Sequence, residues 1–174
     1  MKAPPLPPEA QVFRGLGLGL HPFLALLPRA AQSPALRRVA PVAARPALLE
    51  RARVRISLVP GYAYIDTRTP CINLSWLYYR LGSARDLYLD LLHELTHLRQ
   101  LQEGADLWDR AFSYVDRPTE IEGYAVAAEE GRRLGMSAEE LTRHLHNFWM
   151  TRRQVARLER HIEAFLSKAG QPPA

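Results

Sequence analysis

Two hydrophobic periods run along the chain, and one gives way to the other near residue 83. "RVRISLV" (53–59) alternates Arg with Val and Ile, the period of a half-buried strand. "PG" at 60–61 marks a turn, "YAYID" (62–66) a second strand, "TRTP" (67–70) another turn and "CINLSW" (71–76) a third strand. Short turns between consecutive strands predict a small antiparallel meander. After Ser83 the period becomes helical. Ser83 with Asp86 three residues on resembles an N-terminal cap, and Gly104 is a natural stop, so one helix of about twenty residues lies between them. "ADLWDRAFSYV" (105–115) reads as a connector, Asp116-Arg117-Pro118 opens a second helix to Gly135, and Ser137 with Glu140 opens a third, long helix over 138–168. Ahead of the strands, 33–51 reads as one helix or two short ones interrupted by Pro41 and Pro46.

The expected class is therefore α+β: a small three-stranded, mostly antiparallel sheet packed on the helix near residues 84–103, with further helices C-terminal. Residues 1–32 read as a Pro- and Gly-rich, partly disordered segment. Residues 33–174 form one domain with its core at 53–135. At 174 residues and 47% hydrophobic content the chain can bury a real core without cross-links. Cys71 is the only cysteine, which excludes an internal disulfide and suits a reducing compartment. "GLGLGLHPFLALLP" is too short and too broken to span a bilayer and lacks signal-peptide flanks, so the expected location is cytoplasmic with no membrane partner. It also lacks the GxGxxG spacing of a nucleotide loop.

The net charge of +5 is uneven. Residues 1–60 carry nine Lys/Arg against two Asp/Glu, residues 61–130 six against twelve, and residues 131–174 eight against four. An acidic middle suits a cation-binding centre. The basic ends carry no nucleic-acid recognition motif, so nucleic acid is not the expected partner.

The acidic middle contains "DLLHELTHLRQ" (90–100). On a helical wheel Leu87, Leu91, Leu95 and Leu98 share one side, whereas Asp86, Asp90, His93, His97 and Gln100 fall opposite. His93 and His97 lie one turn apart and can offer imidazole nitrogens to one ion at roughly 2.0–2.1 Å. Glu94 points aside, placed to accept a proton rather than to ligate. A catalytic zinc normally takes a third protein ligand. In "RPTEIEGYAVAAEE" (117–130) Glu120 shares its face with Gly123, Tyr124 and Ala127, small enough for close helix approach. Glu122, the alternative ligand, shares its face with Val126, Glu129 and Arg133.

HELTH followed some two dozen residues later by a helix that begins Glu-x-x-small resembles the gluzincin clan of zinc metallopeptidases. A short sheet leading into the HExxH helix is similar to the ImmA/IrrE-type and other minimal gluzincin domains, and the resemblance covers roughly residues 53–135. It implies a zincin-like fold, one Zn2+ per chain on His93, His97 and Glu120, and Glu94 as general base in hydrolysis of a peptide or protein substrate. Gluzincins often place Asp or Asn four residues after the ligand glutamate, to bond a zinc-binding histidine; here that position is Tyr124, so Tyr124 or Asp90 must serve. Tyr114, Tyr124, His144 and His146 are candidate donors to an oxyanion. The resemblance also implies that an edge strand, "YAYID" or "CINLSW", aligns an extended peptide.

Other features carry plainer expectations. His144 and His146 diverge on a helix and read as surface or packing residues, Cys71 as a buried strand residue, and Trp76, Tyr78 and Tyr79 as core. The apolar stripe of the third helix packs on the domain or pairs two copies as a homodimer. The competing reading is a regulatory or interaction protein that keeps the zinc site with little general proteolysis.

Overall fold

Alternation along the strands decides which of them can be central. All five residues of Cys71–Ser75 (β4, counting along the chain) are buried, so this strand needs neighbours on both sides. Arg53–Ser57 (β2) buries Val54 and Ile56 and exposes Arg55, and Ala63–Asp66 (β3) is only half buried. The structure, a computed structural model describing residues 5–169, resolves this as a four-stranded mixed sheet in the order β1 (Gly19–Pro22), β2, β4, β3. β2 and β4 pair in parallel, Val54 opposite Ile72 and Ile56 opposite Leu74, while β3 folds back antiparallel on the outside of β4. The expected three-stranded meander is thus corrected. Residues 58–70 serve as the crossover that a parallel pair requires.

The added strand, Gly19–Pro22 (β1), comes from the Gly-Leu stretch and runs antiparallel to β2. It is an outer strand, which tolerates Pro22 at its end. Gly19 has φ +133°, a conformation open to glycine. Three short helices follow, Phe23–Leu26 (α1), Leu36–Val39 (α2) and Arg45–Arg51 (α3).

The expectation of a separate, partly disordered segment over 1–32 also changes; residues 1–4 lie outside the described residues. Pro8–Ala10 forms a 3-10 turn, and Ala10, Phe23, Leu26, Leu27 and Ala30 are wholly buried in the main core. Composition misleads here because side-chain and backbone partners elsewhere satisfy the segment's polar groups. Arg14 donates to the carbonyls of Tyr79 and Gly82, and the Tyr79 hydroxyl donates to Phe13 O at 2.7 Å and accepts from Leu16 N at 3.0 Å. The Tyr88 hydroxyl lies 2.6 Å from Ser33 Oγ and donates to Glu130 at 2.8 Å.

After β4 the chain forms Trp76–Leu81 (α4) and Ala84–Gln102 (α5). Ser83 caps α5 by accepting from Asp86 N, and Gly104, at φ +83°, stops it. Leu87, Leu91, Leu92 and Leu95 of α5 are fully buried. Each such burial is worth roughly 1.5–3 kcal/mol relative to exposure. That apolar side anchors the helix so firmly that its other side can be polar and buried as well. Pro118–Arg133 (α6) lies along this polar side, with Pro118 in its first turn.

The long helix expected over 138–168 is two helices, Ala138–Leu145 (α7) and Arg152–Ala169 (α8). Ser137 and Glu140 form the expected capping box at α7. The break at 146–151 has no Gly or Pro to announce it. It arises because Thr151 and Gln154 build a second cap, with Thr151 N donating to Gln154 Oε1 at 2.8 Å and Gln154 N to Thr151 Oγ1 at 3.3 Å. Val155, Leu158 and Ile162 of α8 are buried with Tyr124, Ala125 and Ala128 of α6 in a second, smaller core. No described helix is long and apolar enough to cross a membrane.

Candidate metal centre

α5 and α6 cross where each offers its polar residues. His93 and His97 sit one turn apart on α5, with ring centroids 4.5 Å apart at 87°. Glu120, in the first turn of α6, brings Oε2 to 3.4 Å from His93 Nε2 and 3.5 Å from His97 Nε2. A carboxylate is favoured there by the positive end of the helix dipole. All three residues are buried, and their ligand atoms lie within 4.8 Å of one another, a group that could hold a metal ion.

Glu122, two residues on, is turned away. Its carboxylate takes Arg99 Nη2 at 2.6 Å and Gln100 Nε2 at 2.7 Å. Of the two glutamates considered from sequence, Glu120 is the one brought to the histidines.

Charge and burial pull against each other in this cluster. Burial alone would raise the Glu120 carboxyl, yet the close approach and charge of the His93 and His97 imidazoles hold it far below the usual carboxylate range. Burial would lower the His97 imidazole, but Glu120 and Glu94 outweigh it and take it up to about 9. Burial pushes the Glu94 carboxyl up, since the histidines offset only part of the desolvation. Glu120 Oε2, Glu94 Oε2 and His93 Nδ1 are buried without a hydrogen-bond partner. Orphaned buried polar atoms are rare and costly. A cation beside the two Nε2 atoms fits as the missing partner of Glu120 Oε2, and two imidazoles with a carboxylate are a donor set suited to zinc.

The histidines are supported differently. His97 Nδ1 is 2.7 Å from Gln100 Oε1, and the Gln100 amide nitrogen donates to Thr119 O at 3.1 Å as well as to Glu122. With its NH2 engaged by two acceptors, Gln100 presents its oxygen to the ring, so Nδ1–H donates and Nε2 faces Glu120. Gln100→Ala is expected to weaken zinc binding by about 10–100-fold in a chelator competition. His93 instead lies against α6, where a Cβ added at Gly123 would sit 3.0 Å from its Nδ1 and Cε1. The Tyr124 ring meets the His93 imidazole edge to face, centroid to centroid 4.4 Å at 61°.

The Tyr124 hydroxyl is 2.8 Å from the Tyr114 hydroxyl and accepts from Asn147 Nδ2 at 2.8 Å. Burial holds both phenols protonated, well above their ordinary range. Asp90 is bonded by the Tyr78 hydroxyl and lies 3.5 Å from His144 Nε2. His144 is not at the surface. It stands between Asp86 and Asp90, and although burial lowers it, these carboxylates raise it overall. His146 bonds Met150 O at 3.1 Å, and Cys71 is buried in β4.

The cluster opens into a cavity of about 660 Å³. Tyr62 and the start of β3, Ala63 and Tyr64, form one wall, and the 105–115 and 146–151 connectors form another with Trp108, Tyr114, Phe148 and Trp149. Phe148 is 84% exposed, and Trp108 and Trp149 just over half exposed. The charged groups of the walls are engaged, Arg85 with Glu140 at 2.7 Å, His144 with the two aspartates, and Arg143 with Glu139 outside the cleft at 3.0 Å.

Gln100, Asn147 and the three exposed aromatics, Trp108, Phe148 and Trp149, are not apparent as site residues in the sequence. Gln100 was within reach, since it shares the histidines' side of the wheel. Asn147 had no signal, because the connector that carries it reads as helix interior. Compared with family profiles, curated proteins and solved structures, the chain has no match in any of the three.

Proposed function

We propose that the chain is a zinc-dependent peptidase of zincin-like, gluzincin type. One observation carries this reading: an unpartnered, buried Glu94 carboxylate lies beside the His93–His97–Glu120 cluster at the floor of an open cleft. His93, His97 and Glu120 would hold the ion, and zinc bound there supplies Lewis acidity, which polarises a carbonyl and lowers the pKa of water.

The protein's own groups do the rest. Glu94, neither hydrogen-bonded at Oε2 nor placed among the ligands, takes the proton of the attacking water and returns it to the leaving nitrogen. Tyr114 and Tyr124 share one hydroxyl hydrogen between them while Asn147 donates to Tyr124. The Tyr114 phenol also lies within reach of the Glu120 carboxylate, so the other phenolic hydrogen would have to turn from that carboxylate or from the cleft toward a substrate oxygen that gains negative charge.

β3 supplies the backbone platform. Ser75 N donates to Tyr62 O at 3.0 Å, so by antiparallel alternation Tyr64 and Asp66 bond β4 while the N–H and C=O groups of Ala63 and Ile65 face outward. An extended peptide can add there as a further strand. Since the wall charges are engaged and the aromatics are exposed, side chains are selected by apolar contact rather than by charge.

The purified chain is expected to contain about one zinc per molecule and to cleave members of a peptide library that carry large apolar residues. A chelator should abolish cleavage and added zinc restore it. Absence of zinc would overturn the reading; tight zinc binding without cleavage of peptides or casein would instead favour a metal-holding interaction protein.

A further inference from the structure

The two histidines of the centre are braced by different physics, and only one brace is a hydrogen bond. His97 has Gln100 at Nδ1. His93 Nδ1 is buried with no partner, at the atom where metal-binding histidines are ordinarily fixed. Besides the His97 ring at 4.5 Å, what the His93 ring meets is contact from α6: the backbone at Gly123 and the Tyr124 ring at 4.4 Å. A ring held by contact is only as well placed as the group that touches it. Tyr124 has its far end fixed, accepting from Asn147 Nδ2 at 2.8 Å and lying 2.8 Å from the Tyr114 hydroxyl. Tyr124 is itself 8% exposed and stands among Val115, Leu145, Met150 and Val155, so it has little freedom to swing away.

We propose that Tyr124 is the positioning residue of His93, acting by ring contact, and that Asn147 sets Tyr124 through its hydroxyl. The metal centre is thereby tied to the 146–151 connector, the same connector that brings Phe148 and Trp149 to the cleft. This inference rests on the metal-centre part of the proposed function and not on peptide hydrolysis.

The test uses the full-length chain, with zinc affinity measured by chelator competition and the visible absorption of the cobalt(II)-loaded protein as a second readout. Circular dichroism checks the fold of each variant. Tyr124→Ala removes the ring and should lower zinc affinity by about 10–100-fold and alter the cobalt spectrum. Tyr124→Phe keeps the ring and removes the hydroxyl, so its loss should be smaller, about fivefold, the worth of one neutral hydrogen bond. Asn147→Ala should lose no more than Tyr124→Phe, and the double variant no more than Tyr124→Phe alone, since both changes remove the same bond.

Folded Tyr124→Ala and Tyr124→Phe proteins with wild-type zinc affinity and cobalt spectrum would overturn the assignment, as would additive losses in the double variant. A wild-type chain that binds neither metal would overturn both this inference and the metal centre. The expected affinity losses in a chain that cleaves no peptide would support the inference and overturn only the peptidase reading.

Discussion

Glu94→Gln is expected to leave zinc bound at wild-type stoichiometry and to lower kcat by about 10²–10⁴-fold, the usual worth of a positioned proton acceptor. The substitution keeps side-chain volume and removes only the charge and the basic oxygen. Because Glu94 Oε2 has no hydrogen-bond partner and burial already disfavours its ionised form, no native contact is lost at that atom. The melting temperature of the variant should therefore match or exceed that of wild type. A group kept in an unfavourable setting at a cost to stability is characteristic of function rather than architecture. Metal analysis, steady-state kinetics and thermal unfolding on one preparation decide the matter. A Glu94→Gln protein that still turns over at the wild-type rate would remove Glu94 as the base.

Glu120→Ala and Glu122→Ala form the second comparison, and the expected contrast is large. Losing Glu120 takes away the one carboxylate that, among the described residues, lies within 3.5 Å of both His93 Nε2 and His97 Nε2. Zinc affinity should drop by more than the roughly 10–100-fold that loss of a supporting partner costs. Glu122→Ala frees Arg99 and one bond of Gln100 but leaves Gln100 anchored at Thr119 O, so zinc should remain bound with at most about a tenfold loss. Equal loss of zinc in both variants, or retention in Glu120→Ala, would contradict the geometry at the α5–α6 crossing. Chelator competition on the two proteins reads the difference directly.

Local signals made parts of this architecture legible in the sequence. Ser83 and Gly104 bound the helix that carries the histidines, Pro118 opens the next, and Ser137 with Glu140 caps α7, because capping chemistry needs only a few neighbouring residues. The wheel also separated His93, His97 and Gln100 from the leucines correctly. It could not show that this polar side is buried, since that depends on a helix some two dozen residues away. Sheet order was similarly out of reach: β2 and β4 are separated by a strand that pairs outside both, and alternation records burial but not which neighbour supplies it. β1 was hidden by glycine-rich composition. The break after α7 was written in Thr151-Arg-Arg-Gln154, a capping pattern inside a run that otherwise reads as continuous helix. At the site, residue types at helical spacing exposed the ligand candidates, whereas Asn147, Phe148 and Trp149 reach the cleft from a connector with no periodicity to read.

α6 belongs to both apolar clusters at once. Val126 and Ala127 are buried in the larger one, Tyr124, Ala125 and Ala128 in the smaller. Such a shared helix makes the two clusters a single cooperative unit in one direction only. α8 can detach and expose the smaller cluster while the sheet and α5 persist, but α6 cannot melt without opening both. A ligand that binds across α5 and α6 would leave the detachment of α8 largely untouched and raise instead the cost of every opening that parts those two helices.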